Sequence, residues 1–223
     1  MAILIITIAL VAPALFWIGY FYYKDRFYPE PLTRLGAAFL LGIASALGVI
    51  LFLKILSLFG IPYEPTSLME AHGLPFLLYS IFFTGLIEET FKFLPFLLFV
   101  LRFRSFNERT DGIIYAAVIA LGFACYENSI YLASMSGVEL FGRAFASPLT
   151  HAVFSSIWGY TAGTAKLSGR PIWRASILGL LISAVLHGTF NFFTTSTVWR
   201  AASALLVLIV WIWIIRVLER AQK

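Results

Sequence analysis

The chain has 223 residues, of which 61% are apolar and 12% are charged, and its mean hydropathy is +0.90. A soluble domain has about a quarter of charged residues, so this composition excludes an ordinary soluble globular domain as well as a disordered chain. In a membrane protein, the meaning of the net charge of +5 depends on which side of the membrane the basic residues face. The single cysteine, Cys125, excludes an intrachain disulfide and a cysteine-only metal site.

Seven apolar stretches follow one another, each long enough for a membrane-spanning helix of about 20 residues. They are 2–23, 35–59, 75–101, 112–133, 148–166, 172–195 and 198–217. The first has no basic leader and is predicted to be a retained helix, and Ser147-Pro148 is predicted to cap and begin the fifth. The runs do not alternate, which excludes a β-barrel. Residues 1–223 are therefore predicted to form a single all-α integral membrane domain.

Basic residues are concentrated in every second loop, which predicts the orientation of the chain. Loops one, three and five and the tail contain Lys24, Arg26, Arg34, Arg102, Arg104, Arg109, Lys166, Arg170, Arg174, Arg216, Arg220 and Lys223. The opposite side has only Arg143 and Arg200. By the positive-inside rule the N-terminus lies outside and the C-terminus in the cytoplasm. The basic excess is thus a topology signal, and a nucleic-acid partner is not expected.

Ionisable residues inside a bilayer cost several kcal/mol and point to functional sites. The predicted spans contain Lys54, Glu88, Glu89, Lys92, Glu127, His151 and His187, together with the amides Asn128 and Asn191. From the predicted boundaries, His151 lies near the outer surface, Glu127, His187 and Asn191 lie in the outer half, and Glu88 lies nearer the middle. Spans three to six are therefore expected to surround one cavity that opens to the extracytoplasmic side.

The adjacent carboxylates Glu88 and Glu89 cannot both ionise cheaply in an apolar helix unless one is paired. Lys92 lies four residues after Glu88 and three after Glu89, so it reaches either. One glutamate is then expected to pair with Lys92, which leaves the other free to act as a general base or acid. A purely structural ion pair between helices is the alternative, but it does not explain the second glutamate.

His151 and His187 are each aligned with small residues on the same helix face. Ser155, Gly159 and Gly163 follow His151 at steps of four, and Gly179 and Ser183 precede His187. Small residues permit close helix contacts, so both histidines are expected on rigid elements. With the glutamates, they can activate water and stabilise an oxyanion, or hold Zn²⁺ as a His₂Glu site.

The ordered polar motifs resemble those of the PrsW-type intramembrane proteases, a family related to the CAAX-prenyl endopeptidases and bacteriocin-processing membrane proteases. The matching residues are Glu88-Glu89-x-x-Lys92, Glu127-Asn128, His151-x-x-x-Ser155, His187-Gly188-x-x-Asn191 and the loop from Asp25 to Pro31. In the wider group an Arg follows one position later than Lys92, so the pattern favours the PrsW branch.

The resemblance implies extracytoplasmic cleavage of a membrane-anchored protein, such as an anti-sigma factor, in a bacterial cytoplasmic membrane. It implies roles for Glu88, Glu89 and His151 or His187, and leaves open whether Zn²⁺ or no metal is used. We expect Glu88 to be the general base, tuned by Glu89 and Lys92, and the histidines to orient water, bind metal or donate to the oxyanion. Asn191 is the expected oxyanion donor. Glu127 is expected to support the site, by orienting a histidine or by completing a metal site, and Asn128 is expected to have a supporting role.

Two other functions remain open from the sequence. Buried Glu, His and Lys are also typical of proton-coupled transporters, although no inverted repeat or paired broken helix is visible. A membrane scaffold without catalytic activity is the third hypothesis.

Overall fold

The computed structural model describes residues 2–61, 69, 73–131, 134–135, 137–196 and 198–221, and all regular structure among them is helical. The helices are α1 (Ala2–Lys24), α2 (Leu32–Leu58), α3 (Leu74–Tyr79), a π-helical segment (Ser80–Gly85), α4 (Leu86–Leu98), a 3₁₀ turn (Val100–Arg102), α5 (Arg109–Tyr131), α6 (Gly137–Leu167), α7 (Ile172–Thr195) and α8 (Arg200–Ala221). Lys223, one of the predicted cytoplasmic basic residues, lies outside the described residues.

Five of these helices, α1, α2, α5, α7 and α8, are long and apolar enough to cross a membrane. In α5, 72% of the most apolar stretch is buried, whereas the corresponding fraction in the other four is 22% to 28%. The apolar side chains of those four helices therefore face outward, as lipid-facing surfaces do, while α5 is the central helix. The prediction of an all-α integral membrane protein is confirmed; the count of seven spans and the orientation remain predictions.

The third predicted span is helical but not uniformly so. Between α3 and α4 the π-helical segment widens the turn, which rotates the residues that follow relative to a regular α-helix. At its end, a Cβ on Gly85 would overlap the carbonyl oxygen of Ala184, and a Cβ on Gly188 would overlap the backbone of Ile81. Glycine at both positions therefore lets α7 touch the π segment, one turn from Glu88.

The fifth predicted span begins earlier than expected, and the predicted Ser147-Pro148 start is wrong. Helix α6 begins at Gly137, which has a φ of 57°. Pro148 lies inside the helix, where it lacks the N–H that a regular helix would use. The added turns contain Glu139 and Arg143, and these charges make the segment too polar for a prediction from hydropathy alone.

Glycines also bring the central helices into backbone contact. A Cβ on Gly112 of α5 would overlap the carbonyl of Gly159 on α6, and the reverse substitution would overlap Gly112. Gly179 of α7 similarly lies against Trp158 of α6. The prediction that small residues allow close packing near the histidines is confirmed. Helices α5, α6 and α7 therefore form a tight core that includes Glu127, His151 and His187.

Candidate active site

Four helices bring six of the predicted residues into one buried group, which we call the catalytic cluster. It consists of Glu88, Glu89 and Lys92 from α4, Glu127 from α5, His151 from α6 and His187 from α7. The rings of His151 and His187 lie 4.9 Å apart between centroids and are nearly perpendicular, at 89°. Lys54 is exposed on α2 and does not join the cluster.

Glu89 is fully buried and all its acceptor directions are used. Its Oε1 lies 2.8 Å from both Lys92 Nζ and His187 Nδ1. Its Oε2 accepts hydrogen bonds from Ser155 Oγ at 2.7 Å and from Trp158 Nε1 at 2.8 Å. Because a carboxylate held by four donors has little capacity for further partners, Glu89 is a positioning group.

The contact with Glu89 also fixes the tautomer that a neutral His187 adopts. A carboxylate oxygen only accepts, so Nδ1 of His187 donates to it, and in the neutral ring Nε2 then has the lone pair. That Nε2 lies 3.8 Å from Oε2 of Glu88. His187 therefore presents a proton acceptor or metal ligand toward Glu88.

Glu88 differs from its neighbour because its Oε2 is buried and has no hydrogen-bond partner among the described residues. This atom lies 3.6 Å from Lys92 Nζ, 3.8 Å from His187 Nε2 and 4.0 Å from His151 Nδ1. These distances are too long for direct hydrogen bonds and are suited to contacts through one shared atom. An unsatisfied buried acceptor of this kind calls for a bound water or ion.

His151 is held from both sides of its ring. Lys92 Nζ has no acceptor, so it donates to Nδ1 of His151 at 2.9 Å, and Nε2 of the same ring donates to Glu127 at 2.9 Å. The other oxygen of Glu127 lies 3.2 Å from Nη2 of Arg143, whose guanidinium stacks 4.1 Å over Tyr131. Glu127 therefore holds the ring of His151 in one orientation, and its predicted supporting role stays a prediction.

The residues present fit a divalent cation. Glu88, His151 and His187 each offer one ligand atom, and these atoms lie within 4.8 Å of one another. A carboxylate oxygen with two imidazole nitrogens is a ligand set typical of catalytic Zn²⁺. Oε2 of Glu88 has no hydrogen-bond partner among the described residues, so it is available as the carboxylate ligand. The ammonium of Lys92 occupies the lone pair of His151 Nδ1, so metal binding through that nitrogen requires Lys92 to give up this contact.

The two predicted amides lie at different places. Asn191 is half-buried on α7 and lines two clefts that reach the cluster, each of about 530 Å³. Asn128 is buried on α5, and its Oδ1 has no partner among the residues that the structure describes. The sequence prediction missed Trp158, used Arg143 only as a topology signal, and gave Ser155 no hydrogen-bonding role, although it named Ser155 as a small residue and as part of the family motif. Ser155 and Trp158 follow His151 by four and seven residues, so their helical spacing could have indicated a shared polar face.

Comparisons with known proteins point to one protein family. A family model described as "PrsW family intramembrane metalloprotease" matches residues 30–218. The chain is 33% identical to Protease PrsW of Oceanobacillus iheyensis over 82% of its length and 79% of the relative. It is 29% identical to Protease PrsW of Bacillus subtilis (83% and 81% covered) and 31% identical to that of Clostridioides difficile (94% and 85% covered). No solved structure matches the chain.

Proposed function

The chain belongs to the PrsW family of intramembrane proteases, and on that premise we propose that Glu88, His151 and His187 activate water for peptide-bond hydrolysis. The protein is a membrane-embedded hydrolase whose substrate is another membrane protein. The observation that carries the proposed mechanism is the unsatisfied Oε2 of Glu88, buried between two histidine nitrogens.

In this mechanism Glu88 is the general base. A water oxygen between Glu88 Oε2 and His187 Nε2, which are 3.8 Å apart, gives its proton to Glu88 as it attacks the carbonyl carbon of the scissile bond. The same proton then passes from Glu88 to the leaving amine when the C–N bond breaks. Glu89 does not exchange protons here, because its four donors hold it as the group that orients His187 and Lys92.

Stabilisation of the oxyanion is assigned to donors close to Glu88. The side-chain amide of Asn191 lines both clefts beside the cluster, and the ammonium of Lys92 lies 3.6 Å from Glu88. Donors fixed in advance stabilise the charge that develops on the carbonyl oxygen. His151 is kept in one orientation by Lys92 and Glu127, so its Nδ1 stays directed toward Glu88 throughout the reaction.

In the metal-dependent form of this proposal, Glu88, His151 and His187 would hold the cation. When bound, the metal supplies Lewis acidity and makes the attacking water more acidic. Glu89 then serves His187 as an outer carboxylate, since it fixes the tautomer by accepting from Nδ1. Glu127 does the same for His151 through Nε2.

The substrate proposed is a membrane-anchored protein of the anti-sigma-factor type, cleaved near the extracytoplasmic side of a bacterial cytoplasmic membrane. Both clefts lie at one end of the bundle. Their common lining comes from the end of α5, the beginning of α6 and the end of α7. With the orientation that the basic loops predict, this end of the bundle faces away from the cytoplasm. The bacterial relatives support a bacterial membrane.

The test combines cleavage with metal analysis on the purified full chain in liposomes. A synthetic single-span peptide serves as substrate, and wild type, Glu88→Gln, His187→Ala and the control Glu219→Gln are compared with and without chelator. Among the described residues Glu219 has one ion pair, an exposed contact with Lys24, so its variant should retain cleavage. We expect Glu88→Gln and His187→Ala to lose it, together with any bound metal. Full cleavage by both variants would contradict the proposal.

A further inference from the structure

The two clefts meet at the catalytic cluster but approach it from different sides. They share a wall formed by Glu127, Arg143, Asn191 and Thr194. One cleft reaches Glu88, and the other reaches both histidines. The proposed water therefore lies at their junction, where a polypeptide that runs from one cleft into the other presents a single peptide bond.

Apart from the shared wall, the cleft that reaches Glu88 is lined mainly by apolar and aromatic side chains. Val49 and Leu53 of α2 form one side, and Phe76, Tyr79 and Phe83 form the other. The rings of Tyr79 and Phe83 stack with centroids 5.0 Å apart and an angle of 9°. A stacked aromatic wall at the junction of α3 and the π-helical segment is a rigid surface that suits bulky apolar side chains. We call this the aromatic cleft.

The cleft that reaches the histidines has a different chemistry. Its lining includes Glu139, Arg143, Ser147, Thr150 and Arg200, and we call it the polar cleft. Arg143 and Arg200 are the two basic residues that the sequence assigns to the side opposite the basic loops. Basic residues on that side run against the topological preference, so their joint presence in one cleft next to the cluster indicates a binding role.

We infer that the substrate lies across both clefts, with its apolar segment in the aromatic cleft and its polar segment in the polar cleft. This inference rests on the proposed function. Leaving a polar group without hydrogen bonds in the aromatic cleft costs about 1–3 kcal/mol, and an apolar segment in the polar cleft would desolvate its charges. The scissile bond therefore lies where an apolar stretch of the substrate meets a polar one, the boundary between a membrane span and its flank.

Photo-crosslinking tests this placement directly. The photoreactive residue p-benzoylphenylalanine replaces Phe83 in the aromatic cleft or Ser147 in the polar cleft, in the full chain carrying Glu88→Gln. The probe is the synthetic single-span peptide, and wild type defines its scissile bond. We expect crosslinks from position 83 on the apolar side of that bond and from position 147 on the polar side. Crosslinks from both positions to one side, or from position 83 to lipid only, would overturn the inference.

A kinetic comparison gives an independent readout. With wild-type enzyme, replacing a bulky apolar residue of the peptide next to the bond by Ser should lower kcat/KM by about 10-fold or more, as loss of a filled apolar pocket does. In Phe83→Ala this discrimination should shrink to within about 2-fold, whereas Ser147→Ala should retain it. Equal discrimination in wild type and Phe83→Ala contradicts the inference while leaving the proposed function intact. Failure of wild type to cut any peptide instead counts against the function itself.

Discussion

Two largely buried polar clusters among the described residues share helix α5, and one of the two has the features expected of a reaction centre. The second, which we call the loop cluster, consists of Asp25, Glu30, Asp111 and Tyr115, all buried. Asp111 and Tyr115 lie in the first two turns of α5, and Glu127 of the catalytic cluster lies near its end. One helix therefore supports buried carboxylates at both ends, in two very different settings.

The carboxylates of the loop cluster accept hydrogen bonds from the adjoining loops and from Tyr115 within the cluster. Asp111 accepts hydrogen bonds from the backbone N–H groups of Asn107 and Glu108, each at 2.7 Å. Asp25 accepts one from the N–H of Glu30 at 3.0 Å, and the hydroxyl of Tyr115 donates to Glu30. These contacts tie the loops after α1 and before α5 to the bundle. They explain a structural role for the Asp25–Pro31 segment that resembles the family signature.

The catalytic cluster differs in three respects that matter for chemistry. It contains two imidazoles and a lysine, it borders two clefts, and one carboxylate oxygen, Glu88 Oε2, has no partner among the described residues. Buried charge alone therefore does not identify an active site in a membrane protein. An unsatisfied acceptor beside titratable groups supports the proposed site, because an acceptor without a partner is available to a reactant.

The sharpest test of this contrast is Glu88→Gln, for which we expect the largest loss of activity. Removing a general base lowers kcat by about 10³-fold. The free energy of unfolding should change by less than about 1 kcal/mol, because no hydrogen bond to Glu88 Oε2 is lost. Cleavage of the synthetic peptide and the thermal midpoint in detergent are measured together. A large drop in the midpoint would mean that Glu88 is structural and would break the comparison.

Glu89→Gln should affect both activity and stability. The NH₂ group of the new amide would point toward either Lys92 and His187 or Ser155 and Trp158. In both cases two hydrogen-bond donors would face the NH₂ group, which cannot accept from them. Disrupting a buried ion pair costs about 3–5 kcal/mol, and the thermal midpoint should fall accordingly. Ser155→Ala is the matched control, because it removes one donor and should cost about 1 kcal/mol. Equal midpoints for Glu88→Gln and Glu89→Gln would show that the two glutamates are not divided in this way.

The sequence was sufficient to predict which residues lie close together, but not which contacts each of them makes. Glu88, Glu89, His151 and His187 stand out because ionisable groups are rare in apolar helices. The positioning role of Glu89 depends on donors from α4, α6 and α7 at once, and the π-helical segment sets their register. Local sequence patterns predict each helix separately, so they do not show how side chains of different helices are placed relative to one another.

The loop cluster was even less accessible to sequence reasoning. Tyr115 lies 85 residues after Glu30, and the two meet only because α5 packs in the centre of the bundle. The beginning of α6 was missed for a related reason. Arg143 interrupts the apolar pattern of that segment, and its charge is balanced by Glu127 of another helix. Both cases depend on tertiary pairing rather than on local hydropathy.

Tyr115→Phe should reveal the opposite behaviour at the loop cluster. It removes the hydroxyl that donates to Glu30 and contacts Ser105 at 2.8 Å. Leaving a buried acceptor unsatisfied costs about 1–3 kcal/mol, so the thermal midpoint should fall while cleavage per folded molecule stays within about 2-fold. Tyr160→Phe is the control, because no partner of the Tyr160 hydroxyl is found among the described residues and its ring packs on Trp213. A loss of activity greater than the loss of folded protein would link the loop cluster to catalysis.

A further expected effect is a pH dependence of stability that comes from Asp25. Burial, and then repulsion from Glu30 and Glu108, raises the pKa of Asp25 from 3.8 to about 7. The folded chain thus binds a proton that the unfolded chain releases between about pH 4 and 7, so this group destabilises the fold progressively as pH rises through that window. Asn at position 25 keeps an acceptor for the N–H of Glu30 but cannot titrate. The thermal midpoint of Asp25→Asn should therefore fall less than that of wild type between pH 5 and 8, and parallel curves would mean that Asp25 is ionised throughout in the folded protein.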